Sequence, residues 1–322
     1  MYPMFVECLT ADLESERQQL FRWMSTVPHN THHKTIGKDF LPNSGLWLRQ
    51  KTEFIEWMKS SVSSILWLHG IRQFYLDLLR DPDMTNLLRS WIRKEQARVR
   101  SFSGHSLHFL LTYLRFSVVE YLKTENNKTT APAPISYFYC ARNAAEPERA
   151  DPDEIMRSIL KQLSCSNSTL PVRDPVAKTY KETKEEAEEN GCEPAKLSVT
   201  ECVSLIVNLL ESNPATIIID ALDECDPTRR HELLTGLDNI IQQSASLVKV
   251  FVSSRDDNDI VCRLNHSPNL FIRASDNGED IERFVHSEVA QCIKDKRLLS
   301  GQVSEGLKSR IIDTLADGAQ GM

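Results

Sequence analysis

The 322-residue chain lacks any apolar run approaching the ~20 residues that a bilayer-spanning helix requires. Its start, Met1-Tyr2-Pro3-Met4-Phe5-Val6-Glu7, has neither a basic stretch nor a long apolar one, so no secretion signal is expected. Eight cysteines are present, yet no C-x-x-C pair and no Cys/His cluster at zinc spacing is among them. That pattern predicts reduced thiols in a cytoplasmic protein rather than a disulfide or zinc framework. His32-His33 stand side by side and so point different ways on regular structure, without neighbouring ligand residues, which argues against a metal site. Positive charge is not in excess: 38 Lys and Arg stand against 45 Asp and Glu, a net charge of −7. On that balance no nucleic-acid partner and no anionic membrane partner is expected. No internal repeat is visible. Hydrophobic residues make up 41% and charged ones 26%, the proportions of a globular chain with room for one large or two modest domains.

What is present is concentrated in Thr216-Ile217-Ile218-Ile219-Asp220-Ala221-Leu222-Asp223-Glu224-Cys225. Three consecutive isoleucines predict a buried parallel strand, and acids gather at its carboxyl end. An aspartate at a strand tip, with further acids one turn on, is the Walker B arrangement of nucleotide-hydrolysing domains. Mg²⁺ is a hard cation that takes oxygen ligands, often through its own waters, so Asp220 is the candidate metal residue. Asp223 and Glu224 are the candidates for orienting an attacking water. An ordinary buried strand ending in a polar turn reads the same residues without chemistry. Cys225 beside these acids reads first as a packed cysteine and second as a redox-sensitive thiol.

The other half of such a site is missing. A phosphate cradle of the form G-x-x-x-x-G-K-[ST] combines backbone N–H groups, a lysine and a hydroxyl that ligates Mg²⁺. Ser64-Ile65-Leu66-Trp67-Leu68-His69-Gly70 supplies a strand closing on glycine. Counting forward from Gly70 puts Tyr75 at the second glycine, Leu76 at the lysine and Asp77 at the hydroxyl position. An aspartate there would repel phosphate. A second, weaker candidate is Gly104-His105-Ser106, where histidine takes the lysine's place ahead of a helix-compatible run from Leu107 to Lys123. A helix start capped by Ser103 is the plainer reading of that stretch.

Periodicity predicts helices over residues 9–27, 46–59, 153–163, 199–211, 227–244 and 280–294, with a solvated charged helix within 171–194. A polar connector is expected from Pro28 to Asn43. Further strands are expected at Ile135–Cys140, Val248–Ser253 and Leu270–Ile272. Strands alternating with helices imply an α/β fold with a parallel sheet covered on both faces. Sites on such sheets lie at the carboxyl ends of the strands, where Gly70, Asp220 and Arg255 would emerge.

Taken together, several stretches resemble the fungal NACHT-type (STAND) P-loop NTPases, whose core overlaps the nephrocystin-3-like N-terminal domain family. Leu46-Trp47-Leu48 followed by Phe54-Ile55-Glu56-Trp57 is similar to that family's lead-in, and Ile65 to Ile71 to its first strand. Ser136-Tyr137-Phe138-Tyr139-Cys140-Ala141-Arg142 is similar to the next strand, and Asp151-Pro152-Asp153-Glu154-Ile155 to the start of the helix after it. Val250-Phe251-Val252-Ser253-Ser254-Arg255 resembles the strand that ends on a phosphate-sensing arginine. The resemblance implies a three-layer P-loop NTPase-like fold, with a helical lead-in over residues 1–44 and an NTPase core over 45–322. Within that core, 171–198 reads as a charged excursion and 72–116 as an atypical insertion over the cradle. The insertion carries eight Lys and Arg against four Asp and Glu, +4 in a chain of net −7. Two explanations stay open: translated non-coding sequence, favoured by the abrupt return of similarity at Ser117, or divergence that removed nucleotide binding.

The resemblance further implies an ATP-dependent signalling switch that uses ATP and Mg²⁺, with protein partners engaged through helices and repeats beyond this chain, and self-association. Asp220 would hold Mg²⁺, Asp223 or Glu224 would orient water, Arg255 would sense the terminal phosphate, and Gly70 would open the phosphate turn. Without the lysine, negligible ATPase activity is expected of the chain as written. The competing expectations are a non-catalytic interaction scaffold and a gene fragment.

Overall fold

A computed structural model describes residues 14–38, 40–41, 44–70, 116–130, 132–165 and 171–319. Within them the chain alternates helix and strand. Helical residues 14–24 form α1, followed by α2 (His29–Lys38), α3 (Thr52–Lys59) and β1 (Ser64–Gly70). Helical residues 116–126 form α4, and then come β2 (Ile135–Tyr139), α5 (Pro152–Ser164), α6 (Asp174–Asn190), α7 (Val199–Leu209) and β3 (Ala215–Asp220). The remainder is α8 (Arg230–Gln243), β4 (Val248–Arg255), α9 (Asn258–Leu264), β5 (Asn269–Phe271), α10 (Ala274–Lys294) and α11 (Glu305–Ala319). The expected α/β fold with a parallel sheet is the one observed.

The sheet has five strands in the order β2-β3-β4-β1-β5. β2 pairs parallel to β3 with Tyr139 opposite Asp220, and β3 pairs parallel to β4 with Ile219 opposite Val252. β1 runs the same way beside β4. At the strand starts the Val248 N–H donates to Ser63 Oγ (3.0 Å), and at their ends Trp67 Nε1 donates to Ser254 Oγ (2.8 Å). The chain leaves β1 for the far edge strand β2 and returns inward, so the order reverses beside β1. Ligands on open parallel sheets sit at such reversals, outside the carboxyl ends of the strands.

Two compact units divide the chain. The first comprises Met1–His32, Glu56–Trp67 and Leu122–Asn269. It holds the main core, in which Ile217, Ile219, Val248, Val250, Val252 and Phe138 pack with Ile155, Ile159, Cys202, Ile206, Leu233 and Leu237. Ile218 and Phe251, on the other side of the same strands, are also buried, and the Phe251 ring lies 6.2 Å from that of Trp57. Burial on both sides is why β3 can be an unbroken isoleucine run rather than an alternating one. The second unit comprises His33–Ile55, Leu68–Tyr121 and Leu270–Met322, and its core gathers Ile281, Val285, Val289, Cys292, Leu298 and Ile312.

Local chemistry sets the element ends. Asp151 caps α5 by accepting from the Asp153 N–H, and Pro152 fills the first helical position, where no N–H is needed. Ser198 and Glu201 form a reciprocal capping box at α7. Gly191 ends α6 at φ 65°, in the left-handed region where only glycine is unstrained. The outer face of α6 carries Lys178–Glu182, Lys181–Glu185 and Lys184–Glu188 pairs at 3.8–3.9 Å, while Val176, Tyr180 and Ala187 are buried, as a solvated charged helix requires.

Several expectations are corrected. The polar connector after Pro28 is the helix α2 for ten residues, because Pro28 accepts from the Thr31 and His32 N–H groups and so starts a turn itself. The expected single helix over 46–59 is a 3-10 turn, Leu46–Gln50, broken from α3 by Lys51 in an extended conformation (ψ 133°). Trp47 is accordingly half-buried, with Lys51 Nζ 5.8 Å from its ring centre, rather than packed inward beside Phe54 and Trp57. α10 begins at Ala274, six residues ahead of the expected start, and α9 was not anticipated. Residues 72–115 of the atypical segment lie outside the described residues. Among the described residues no helix is long and apolar enough to cross a membrane.

Candidate functional site

Asp220 is the last residue of β3, and it is buried. Its Oδ1 accepts a 2.7 Å hydrogen bond from Ser253 Oγ on β4. The same hydroxyl accepts from the Ala221 N–H at 3.3 Å. Ala221 takes a left-handed conformation (φ 53°, ψ 50°), which turns the chain sharply out of the strand into a 3-10 turn over Leu222–Glu224. A non-glycine residue in that region costs roughly 1 kcal/mol, so the turn needs bracing from outside.

Three groups supply it. The Arg142 guanidinium, on the loop after β2, donates to the Asp223 carbonyl (2.9 Å) and the Cys225 carbonyl (3.0 Å). Arg230 at the start of α8 is almost fully buried; its Nη1 donates to the Asp223 carbonyl at 2.9 Å. Its remaining edges reach Asp257 (3.1 Å) and Asp259 (2.8 and 2.9 Å) beyond β4. Ser253 completes the set from β4. Two arginines and a serine therefore hold the acid-bearing turn by its backbone, and leave carboxylates free to differ in their surroundings.

Those carboxylates do differ. Asp223 is buried; its Oδ1 accepts from the Arg255 N–H at 3.1 Å, and its Oδ2 lies 3.5 Å from Arg255 Nε. Glu224 is more open, and its Oε2 accepts from the Arg142 N–H at 3.3 Å. Asp220, Asp223, Glu224 and Arg255, named from the sequence, thus fall at adjoining strand ends within one unit. Asp220 and Trp67 are joined through consecutive β4 residues, since Ser253 bonds the first and Ser254 the second. Gly70 closes β1, where a Cβ would meet Ile272 at 3.6 Å, ordinary contact, so space alone does not demand glycine there. Gly104, His105 and Ser106 lie outside the described residues.

Sequence reading missed the roles of Ser253, Arg142 and Arg230. Ser253 and Arg142 stand inside stretches that were recognised as strands, but a bracing role depends on which strands are neighbours, and spacing does not reveal that. Cys225 is fully buried, and burial pushes its thiol up to about 12. Cys140, also buried, is raised by burial and by the nearby Cys225. Both stay protonated near neutrality, which sets aside a reactive thiolate. His32 and His33 bond separate carboxylates, Glu146 at 3.1 Å and Glu120 at 2.8 Å. No group of three or more metal-ligating side chains occurs among the described residues. With no closed cage among the described residues, a hard cation at this strand tip would be held by Asp220 chiefly through the ion's own waters.

No curated protein matches the chain. Solved structures that resemble it include a DNA replication initiation factor (TM-score 0.34, 8% identity, covering 86% of this chain and 58% of that one). Drosophila ORC bound to DNA (0.34, 12%, 91% and 57%) and the Aeropyrum pernix ORC1 protein in complex with DNA (0.33, 17%, 88% and 60%) are similarly distant. The chain spans 57–60% of the length of these structures, and at such scores the likeness decides nothing about activity. Two of the three are held on DNA. One expectation is corrected here: the absence of a nucleic-acid partner does not follow from a whole-chain charge of −7 and is withdrawn. A whole-chain sum describes no single face. Residues 111–255, a little under half of the chain and spanning α4 through Arg255 at the end of β4, match the family model described as nephrocystin 3, N-terminal.

Proposed function

We infer that the chain is a nucleotide-binding, switch-like module of the P-loop NTPase kind, with its catalytic half impaired. The observation that carries this reading is the braced acid turn, in which Asp220, Asp223 and Glu224 stand at the tip of β3 beside Arg255 at the tip of β4. The strand order, with its reversal beside β1, supports a ligand at this end of the sheet. The family match over 111–255 agrees with it.

In this reading Asp220 holds Mg²⁺ through water and ATP is the nucleotide. Glu224 is the better candidate for orienting water, because Asp223 is buried and already faces Arg255. Leu76 and Asp77 stand where a lysine and a hydroxyl would neutralise the phosphates. Phosphoryl transfer depends chiefly on that compensation, so binding outlasts hydrolysis. NACHT-type signalling belongs to the same proposal, as do residues 45–322 as the core behind a lead-in over 1–44.

The test is a titration of the chain with Mg·ATP. Micromolar binding that disappears in Asp220→Ala supports the module. No binding by the parent chain favours the second reading, an interaction scaffold that keeps the fold, which the missing lysine already motivates. Transcript reads across codons 71–117 add an independent check, since an alternative junction restoring a glycine-lysine loop would reinstate the full site.

A further inference from the structure

β2 is an outer strand of the sheet, and β3 is its one hydrogen-bonded neighbour among the described residues. The Cys140 N–H donates to the Asp220 carbonyl and the Pro134 carbonyl accepts from the Thr216 N–H, so the even-numbered residues face β3. The odd-numbered residues turn their backbone groups outward, where a further strand would add. The strand itself favours such an addition. Ile135-Ser136-Tyr137-Phe138-Tyr139-Cys140 is rich in aromatic residues, uncharged and free of proline and glycine, the composition of segments that pair between molecules.

The outward groups are nonetheless occupied. The Gln162 carboxamide, reaching from α5, accepts from the Tyr137 N–H at 3.0 Å and donates to the Tyr137 carbonyl at 2.9 Å. It presents a C=O and an N–H side by side, as a neighbouring strand does. Its Nε2 also donates to the Ser158 carbonyl at 3.2 Å, one turn back on α5, which fixes its position. Two residues further along β2, Arg149 forks onto the Tyr139 carbonyl through Nε (3.1 Å) and Nη2 (3.0 Å). The Arg149 carbonyl in turn accepts from the Ala141 N–H at 3.3 Å. Lys123 covers the same flank, with Nζ 4.6 Å from the Tyr137 ring centre. Water at an open edge would satisfy these backbone groups almost as well, so their net gain in stability is small. What the side chains add is denial of the edge to other chains.

We propose that Gln162 and Arg149 guard the β2 edge: they take the Tyr137 and Tyr139 backbone groups through which an extended segment, the β2 of another copy, would add to the sheet. The guard is independent of nucleotide binding. It works from α5 and the loop before it, so β2 can keep the Tyr-Phe-Tyr run that packs inside the protein.

The experiment compares the parent chain, Gln162→Ala, Gln162→Ala with Arg149→Ala, and that pair combined with Ile135→Pro. Amide hydrogen exchange and sedimentation over a range of concentrations are the two readouts. In dilute Gln162→Ala the Tyr137 amide should exchange about tenfold faster, while the Cys140 amide, bonded to β3, stays protected. The unguarded pair should associate with rising concentration more strongly than the parent. Ile135→Pro, which removes an outward donor at the start of the same edge, should reverse that association. An unchanged Tyr137 exchange rate overturns the guard, and so does an unguarded pair that associates no more than the parent. Association that Ile135→Pro leaves intact arises on another surface and overturns it as well. Should Gln162→Ala fail to fold, Gln162→Met, which keeps the volume and removes the carboxamide, is read by the same criteria.

Discussion

Ser253 Oγ lies 2.7 Å from Asp220 Oδ1 and at the same time accepts the N–H of Ala221, the residue that turns the chain out of β3 at φ 53°. One hydroxyl therefore satisfies a buried carboxylate and steadies the strained residue beside it. Ser253→Ala removes both contacts inside a packed region, with an expected loss of about 1–3 kcal/mol in urea unfolding. Ser253→Thr keeps the hydroxyl and should recover most of it. A Ser253→Ala chain as stable as the parent would show that the bridge contributes nothing.

Arg230 is the most buried cation of the site, and each edge of its guanidinium meets an oxygen. Arg230→Met fills similar volume but takes one donor from the Leu222 and Asp223 carbonyls, which keep the Cys225 N–H and Arg142, and leaves Asp257 and Asp259 without their cation. The expected cost is about 2–4 kcal/mol. Arg230→Lys should restore only a minor part, because an ammonium cannot span two carboxylates and two carbonyls in one plane. Chemical denaturation of the two variants distinguishes a planar fork from a mere charge.

Gly191 tests the backbone alone. A Cβ built there meets no atom within 4 Å, and φ is +65°. Gly191→Ala should thus destabilise by about 1 kcal/mol through conformation and not through a clash. Gly191→Asn, which tolerates this region, should lose less. Equal losses for both would point to a contact after all.

His29 gives the fold an acid limb. Burial first, then the charges of Lys161, His32 and Lys123, lower its pKa from 6.5 to about 4. Between those values the unfolded chain binds a proton that the folded chain does not, so stability is fully present above pH 6.5 and falls as pH drops towards 4. The share lost is at most about 3 kcal/mol. His29→Gln should flatten that window in urea titrations between pH 6.5 and 4, while leaving behaviour above pH 7 nearly unchanged. An identical pH profile for the variant would exclude His29 as the source.

The parts legible in the sequence were those written in local code. Ile217-Ile218-Ile219 announced a strand buried on both sides, and Asp220, Asp223 and Glu224 announced an acidic strand tip, because both depend only on near neighbours. Asp151-Pro152-Asp153 likewise marked a helix start, whereas the Ser198–Glu201 capping box went unread. The partners of the acids were not legible. Ser253 reaches Asp220 across 33 positions, and Arg142 reaches the turn across more than 80. Such meetings are created by strand order, which hydrophobic period does not encode. The helix α2 was missed for a different reason: His, Asn and Thr have middling helix propensity, and its first turn is started by Pro28, whose carbonyl accepts from the Thr31 and His32 N–H groups.

The position of β1 bears on how this protein can be cut. β1 sits between β4 and β5, and Trp67 and Ser63 bond to the two ends of β4. A fragment limited to residues 111–255, although it contains every named acid and Arg255, would strip β4 of that neighbour. Its Val-Phe-Val run would then present an open backbone edge and a bare apolar flank, conditions under which strands from separate molecules pair with each other. Expression of that fragment should yield aggregates, whereas one beginning before α3 keeps the edge closed.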